Sequence, residues 1–136
     1  MAIETQGEMK IQLEGDIVAV RKTVRNVTTQ IGFGITDVTR VVTAASELAR
    51  NIVLYAGSGV MQWNVLTSRD GIGIELSFID HGPGISNISL VMQEGYTTSG
   101  GLGMGLPGSK RLMDELEIQS EPGKGTIVMI RKWKRA

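Results

Sequence analysis

The segment Thr97-Thr-Ser-Gly-Gly-Leu-Gly-Met-Gly-Leu-Pro-Gly-Ser-Lys-Arg111 holds five glycines and one proline, and the fold turns on how it is read. Glycine loses more backbone freedom on folding than any other residue, so a run this dense implies a task that side chains would obstruct. Two phosphate-binding motifs nearly fit. Gly103, Gly105 and Gly108 spell G-x-G-x-x-G, with Glu121 some 18 residues past Gly103. That fingerprint needs a strand leading straight into its first glycine, and Glu94 to Gly101 does not read as a buried parallel strand. Gly103 and Gly108 also have P-loop spacing, but Ser109-Lys110 follows where Lys and then Ser or Thr is required. The lysine is displaced, and both motifs fail. What survives is a set of uncovered backbone amides at Gly100, Gly101, Gly103 and Gly105, just before a helix start at Leu106-Pro107. Such an arrangement favours an anion. From this segment alone, a plain flexible loop stays open as the alternative.

Working outward, the 136-residue chain is expected to form one domain, 1–136, with a core of its own. A hydrophobic share of 41% and a charged share of 21% are those of a globular protein. With 14 basic and 14 acidic residues, nothing argues for nucleic acid or an anionic membrane as partner. The run Arg131-Lys132-Trp133-Lys134-Arg135 reads as a solvated chain end, with a small contact patch as the alternative. No apolar run reaches the ~18 residues of a membrane helix, the start MAIETQGEMK is no secretory signal, and cysteine is absent, which removes disulfides and thiolate metal sites. A cytoplasmic location is expected.

Met9 to Leu13 alternates as a short strand, and Asp16 reads as an N-cap. Ile17, Val20, Val24, Val27 and Ile31 then form one helical face that stops at Gly32 and Gly34. A second helix is predicted from Thr36-Asp37 to Tyr55, with Val38, Val41, Val42, Ala45, Leu48, Ala49, Ile52 and Tyr55 as its apolar set. Val60 to Thr67 and Ile72 to Asp80 read as a β-hairpin, Ile88 to Gln93 as a short helix, and Leu106 to Asp114 as a third main helix. Leu116 to Ser120 and Thr126 to Trp133 make a closing hairpin. This order predicts an α/β (α+β) two-layer sandwich, in which three helices cover one face of a mixed five-stranded sheet.

Three further motifs bear on the glycine segment. Asp80-His-Gly-Pro-Gly84 puts a carboxylate at a strand end and clears side chains at Gly82 and Gly84, so a flat ring can approach. A carboxylate accepts hydrogen bonds from an amine and repels a carbonyl, which favours adenine over guanine; an ordinary Asp-Gly turn is the alternative. Glu47 and Asn51 lie four apart on the second helix, about 40° apart and roughly opposite the apolar stripe. On these two residues alone an ordinary solvated helix face is the better explanation, although an Asn carbonyl can hold Mg²⁺ and a Glu can prepare a hydroxyl for attack. Gly123-Lys-Gly-Thr126 is either a plain hairpin turn or a placement of Thr126 near the Asp80 end of a bound base.

In order and spacing these four motifs resemble the N, G1, G2 and G3 boxes of the GHKL, or Bergerat-fold, ATP-binding family. The matching stretches are Glu47-Leu-Ala-Arg-Asn51, Asp80 to Gly84, Gly101-Leu-Gly-Met-Gly105 and Gly123 to Thr126. Gyrase-like and chaperone-like members need a second domain with a phosphate-contacting lysine, for which this chain has no room. Histidine kinases need a phosphoacceptor histidine, yet the single histidine, His81, lies inside the G1 box and is expected to shape its turn. The strings around Glu47, Asp80 and Gly95 to Asp114 are similar to RsbT-type serine/threonine switch kinases of the bacterial stressosome. The resemblance implies ATP and Mg²⁺ as cofactors, and STAS-domain scaffold and antagonist proteins as substrates. It also implies a PP2C-type phosphatase as the later partner. By the same resemblance, Asp80, with Gly82 and Gly84, and Thr126 hold adenine. Asn51 holds Mg²⁺, and Glu47 is the catalytic residue. A lid and glycine loop of Thr98, Ser99, Gly101, Leu102, Gly103, Met104 and Gly105 meet the phosphates. An anti-sigma factor with kinase activity, or a non-catalytic adaptor, shares the fold and stays open.

Overall fold

The computed structural model describes residues 2–69, 71–85 and 105–134. Their order is β1 (Ala2–Ile11), α1 (Glu14–Gln30), α2 (Ile35–Asn51), a π-helical turn (Ile52–Ala56), β2 (Gly59–Ser68), β3 (Gly71–Asp80), α3 (Gly105–Leu112), β4 (Glu115–Glu121) and β5 (Gly125–Trp133). The expected Ile88 to Gln93 helix lies outside the described residues.

The strands form one sheet in the order β1-β2-β3-β5-β4. All four pairings are antiparallel, which corrects the expected mixed sheet. The connection from β3 through α3 does make β4 run parallel to β3. However, β5 returns between them and pairs with both, so no parallel pair is hydrogen-bonded among the described residues.

Residues in cross-strand register share a face. Met61, Phe78 and Val128 form one buried row, and Leu76 and Ile130 belong to the next. Helices cover this face. Ile17, Val20 and Val24 of α1, Val41, Ala45 and Leu48 of α2, and Leu106 of α3 join the same core as those strand residues. The predicted apolar faces of α1 and α2 are thus the ones that turn inward, each buried Val, Ile or Leu side chain contributing about 1.5–3 kcal/mol.

Several local expectations change. β1 begins at Ala2 and ends at Ile11, so Leu13 is not a strand residue but the residue preceding α1. Asp16 sits in the first turn of α1, and its Oδ2 accepts from the Gln12 and Leu13 amides at 2.8 and 2.9 Å. It therefore caps from inside the helix. Those two bonds, the Leu13 one foremost, hold its carboxyl below the usual range. Tyr55 was placed in the apolar stripe of α2 but is 43% exposed. The π-helical turn, closed by the Gly57 amide on the Ile52 carbonyl at 2.8 Å, adds a residue to the last turn and rotates Tyr55 off the stripe.

The basic chain end is also partly an interior feature. Lys132 is only 4% exposed. Its Nζ donates to the Leu112 carbonyl at the end of α3 at 3.0 Å and lies 3.7 and 3.9 Å from Asp114 and Asp37. Arg131 points to the opposite face of the sheet and bridges Glu75 and Glu115. Burial works against its charge, but the hydrogen bonds and negative charge of those two carboxylates outweigh it and raise its pKa.

Candidate functional site

The sheet brings four strand ends into one row. Gly59 of β2 pairs with Asp80 of β3, Asp80 with Thr126 of β5, and Thr126 with Ser120 of β4. Asp80 and Thr126 belong to separate motifs 46 positions apart, and the antiparallel register makes them direct neighbours on the helix-covered face. Oδ1 of Asp80 accepts from the Gly82 amide at 2.9 Å, which fixes the carboxylate. Among the described residues its other oxygen has no partner that would compete with a ligand.

The loop after β3 is pressed onto the β4–β5 turn. The Gly123 amide donates to the Pro83 carbonyl at 2.7 Å, and the Ile85 amide to Ser120 Oγ at 2.7 Å. Gly84 has φ of 77°, and a Cβ there would overlap the Glu121 carbonyl. Gly84 is thus needed for this close approach of the two loops. Gly82 lies against Ala56 in the π-helical turn, where an added Cβ would come within 2.7 Å of the Ala56 Cβ. The loop therefore touches both the far hairpin and the end of α2.

Glu47 and Asn51 occupy the last turns of α2, which lead through Ala56 to Gly59 and so to the same end of the sheet. Both side chains are partly buried, in contrast to the solvated helix face that was the alternative reading. From Val41 to Val53 no residue of this helical run is exposed, and the Glu47 side chain retains 16% of its surface. The cause is packing on two sides, since α1 and α3 both lie against α2. Arg50 Nη1 stands 3.4 Å from Glu47 Oε1 and restrains that carboxylate. No direct contact joins Glu47 or Asn51 to Asp80 among the described residues.

Gly105 opens α3, one residue ahead of the expected start. Thr98, Ser99, Gly101, Leu102, Gly103 and Met104 lie outside the described residues. A cleft of about 220 Å³ opens at this end of the sheet and is lined by Asp80, His81 and Thr126, but also by Ile79 and Ile127 of the other face. Among the described residues no group of three or more His, Asp or Glu could hold a metal ion. The Asn51 side chain offers an amide oxygen, a hard donor of the kind that suits Mg²⁺.

Ser120 escaped the sequence reading. It had one visible signal: on β4 the inward positions run Leu116, Ile118, Ser120, so a hydroxyl appears where an apolar residue is due.

Residues 11–132 match the family described as the histidine kinase-like ATPase domain. The serine/threonine-protein kinase RsbT of Bacillus subtilis is 49% identical over 130 residues, 96% of this chain and 98% of the relative. An anti-sigma F factor of Thermoanaerobacter sp. is 35% identical over 73% of this chain and 72% of its own length. Among solved structures, the RsbU and RsbW domains of Rv1364c from Mycobacterium tuberculosis superpose with a TM-score of 0.67 and 21% identity. That match covers 96% of this chain and 32% of the other, and it supports the fold. Among the described residues no helix is long and apolar enough to cross a membrane.

Proposed function

The chain belongs to the histidine kinase-like ATPase domain family, and on that premise we propose that it is a serine/threonine-protein kinase of a bacterial partner-switching pathway that uses ATP. The observation that carries the reading is the Asp80–Thr126 pair, at the strand ends of a chain 49% identical to a serine/threonine-protein kinase over nearly its whole length. In this proposal 1–136 works as a single kinase domain.

Oδ2 of Asp80 accepts a hydrogen bond from the adenine amine, and Gly82 and Gly84 leave room for the ring. Thr126 lies beside it as a second polar contact. In this reading the phosphates are held by Thr98, Ser99, Gly101, Leu102, Gly103, Met104 and Gly105, together with the N-terminus of α3. The Asn51 amide oxygen is a hard ligand suited to Mg²⁺, which when bound would neutralise charge on the phosphates. Glu47 orients the incoming serine or threonine hydroxyl and takes its proton as the oxygen bonds to the γ-phosphorus, while the bond from that phosphorus to the β–γ bridging oxygen breaks and ADP leaves. Phosphoryl transfer depends mainly on positioning and charge neutralisation, so a sparse site suffices.

The substrates in this reading are STAS-domain scaffold and antagonist proteins of the cytoplasm, with a PP2C-type phosphatase as the partner bound afterwards. Incubation with Mg-ATP and a STAS-domain protein, read by intact mass, should add one phosphate to the STAS protein. The anti-sigma F relatives favour a second reading, in which the same chain also holds a sigma factor. Co-purification of a sigma factor with the chain, dissociated by the unphosphorylated STAS protein, would select it.

A further inference from the structure

Ser120 lies at the centre of a three-way contact that no nucleotide-box motif contains. Its Oγ receives the Ile85 amide at 2.7 Å, stands 3.0 Å from the Gly125 carbonyl, and stands 2.8 Å from Thr126 Oγ1. A serine hydroxyl has one proton to give and two lone pairs to offer. The Ile85 amide can only donate, so it takes one lone pair. The Gly125 carbonyl can only accept, so it takes the proton. One lone pair remains, and the Thr126 hydroxyl must donate into it. The reverse arrangement, Ser120 donating to Thr126, would turn a lone pair toward the Gly125 carbonyl and lose one of the three bonds.

Thr126 is 9% exposed and shares its row with Asp80. With its proton committed to Ser120, it offers only lone pairs to whatever lies against it. Asp80 does the same. A ligand at this spot meets two acceptors and must bring a donor.

We infer that Ser120 is a positioning and specificity-determining residue for the nucleotide. By fixing the direction of the Thr126 hydroxyl, it makes the site accept the exocyclic amine of adenine and reject a base with a carbonyl oxygen in its place. This rests on the reading that Asp80 and Thr126 face the base. Through Ile85 and Gly125, the same hydroxyl also ties the loop after β3 to the β4–β5 turn.

The test compares equilibrium binding of ATP and inosine triphosphate, which carries a carbonyl oxygen where adenine has its amine. The wild-type chain should prefer ATP. Ser120→Ala frees the Thr126 hydroxyl to rotate and donate, so the ATP preference should narrow by about fivefold or more, the scale of one hydrogen bond. Ser120→Thr keeps the hydroxyl and should restore the preference. If Ser120→Ala does not fold, Ser120→Cys fills the same space with a group too weak to direct Thr126, and the same narrowing is expected. Equal weakening of both nucleotides, or no change in their ratio, overturns the inference. Asp80→Asn separates the layers. If it leaves ATP binding intact, the adenine reading fails and Ser120 falls with it. If it abolishes ATP binding while Ser120→Ala leaves the ratio alone, only the role of Ser120 is lost.

Discussion

Gly125→Ala and Gly123→Ala form a matched pair that measures how tightly the β4–β5 turn is pressed against the loop after β3. Both glycines have positive φ, 114° and 80°, and such conformations cost a residue with a side chain about 1–3 kcal/mol. At Gly123 nothing lies within 4 Å of an added Cβ, so that strain is the whole effect. At Gly125 the new carbon would overlap the Asp80 carbonyl and stand 2.7 Å from the His81 Cα. These are backbone atoms, so no rotamer change relieves the overlap, and β3 and β5 must part locally. We expect about 1 kcal/mol of destabilisation for Gly123→Ala and about 3–5 kcal/mol for Gly125→Ala. At about 3–5 °C per kcal/mol for a domain of this size, the two melting midpoints should differ by roughly 10 °C. Thermal unfolding without nucleotide reads this difference. ATP titration gives a second reading, in which Gly125→Ala binds weakly because Asp80 has moved, while Gly123→Ala binds as wild type. Equal midpoints, or wild-type ATP affinity in Gly125→Ala, would refute the reasoning.

Lys132→Met should destabilise the fold by about 2–4 kcal/mol, since it strips the Leu112 carbonyl of a donor and leaves Asp37 and Asp114 facing an apolar side chain. Chemical denaturation of the variant checks this; a change below about 0.5 kcal/mol would show that the buried ammonium is dispensable. Asp16 has a carboxyl pKa below its ordinary value because the Leu13 and Gln12 amides bond the ionised form. Its stabilisation is present above the usual carboxylate pKa of about 4 and fades as pH falls through the lower folded value. Asp16→Ala should therefore melt lower than wild type at neutral pH, with the gap closing in acid; a gap that does not depend on pH contradicts the capping role.

What the sequence could and could not reveal follows from how each feature is held. The inward alternation of Ile74, Leu76 and Phe78 and the helical stripe from Val38 to Ile52 are imposed by the core, so period and burial agree. The first half of β1 has no such pattern. Ala2, Thr5, Gln6 and Glu8 are exposed, and an edge strand is kept in place by its backbone ladder to β2 rather than by apolar side chains. The turn that rotates Tyr55 outward depends on a hydrogen bond one residue longer than the helical repeat, which leaves no mark in the hydrophobic period. Strand order was also hidden. Nothing local tells β5 to insert between β3 and β4, yet that insertion makes Asp80 and Thr126 neighbours. The motifs named Asp80, Thr126, Glu47 and Asn51 one by one, and only the strand register and the course of α2 place them toward one end of the sheet. Ser120 acquires meaning only once Ile85, Gly125 and Thr126 converge on it.

The central claim is that this chain transfers phosphate from ATP to a protein hydroxyl, with binding and transfer assigned to different side chains. One experiment addresses both halves: wild type, Asp80→Asn and Glu47→Gln are each titrated with ATP and then incubated with Mg-ATP and a STAS-domain protein. The wild-type chain should bind ATP and add one phosphate to a serine or threonine of that protein. Asp80→Asn should fail at binding. Glu47→Gln should bind ATP as wild type does yet lose transfer by about 100-fold or more, the scale of a general base. Transfer by Glu47→Gln at the wild-type rate, or a wild-type chain that binds ATP and phosphorylates no STAS-domain protein, would contradict it.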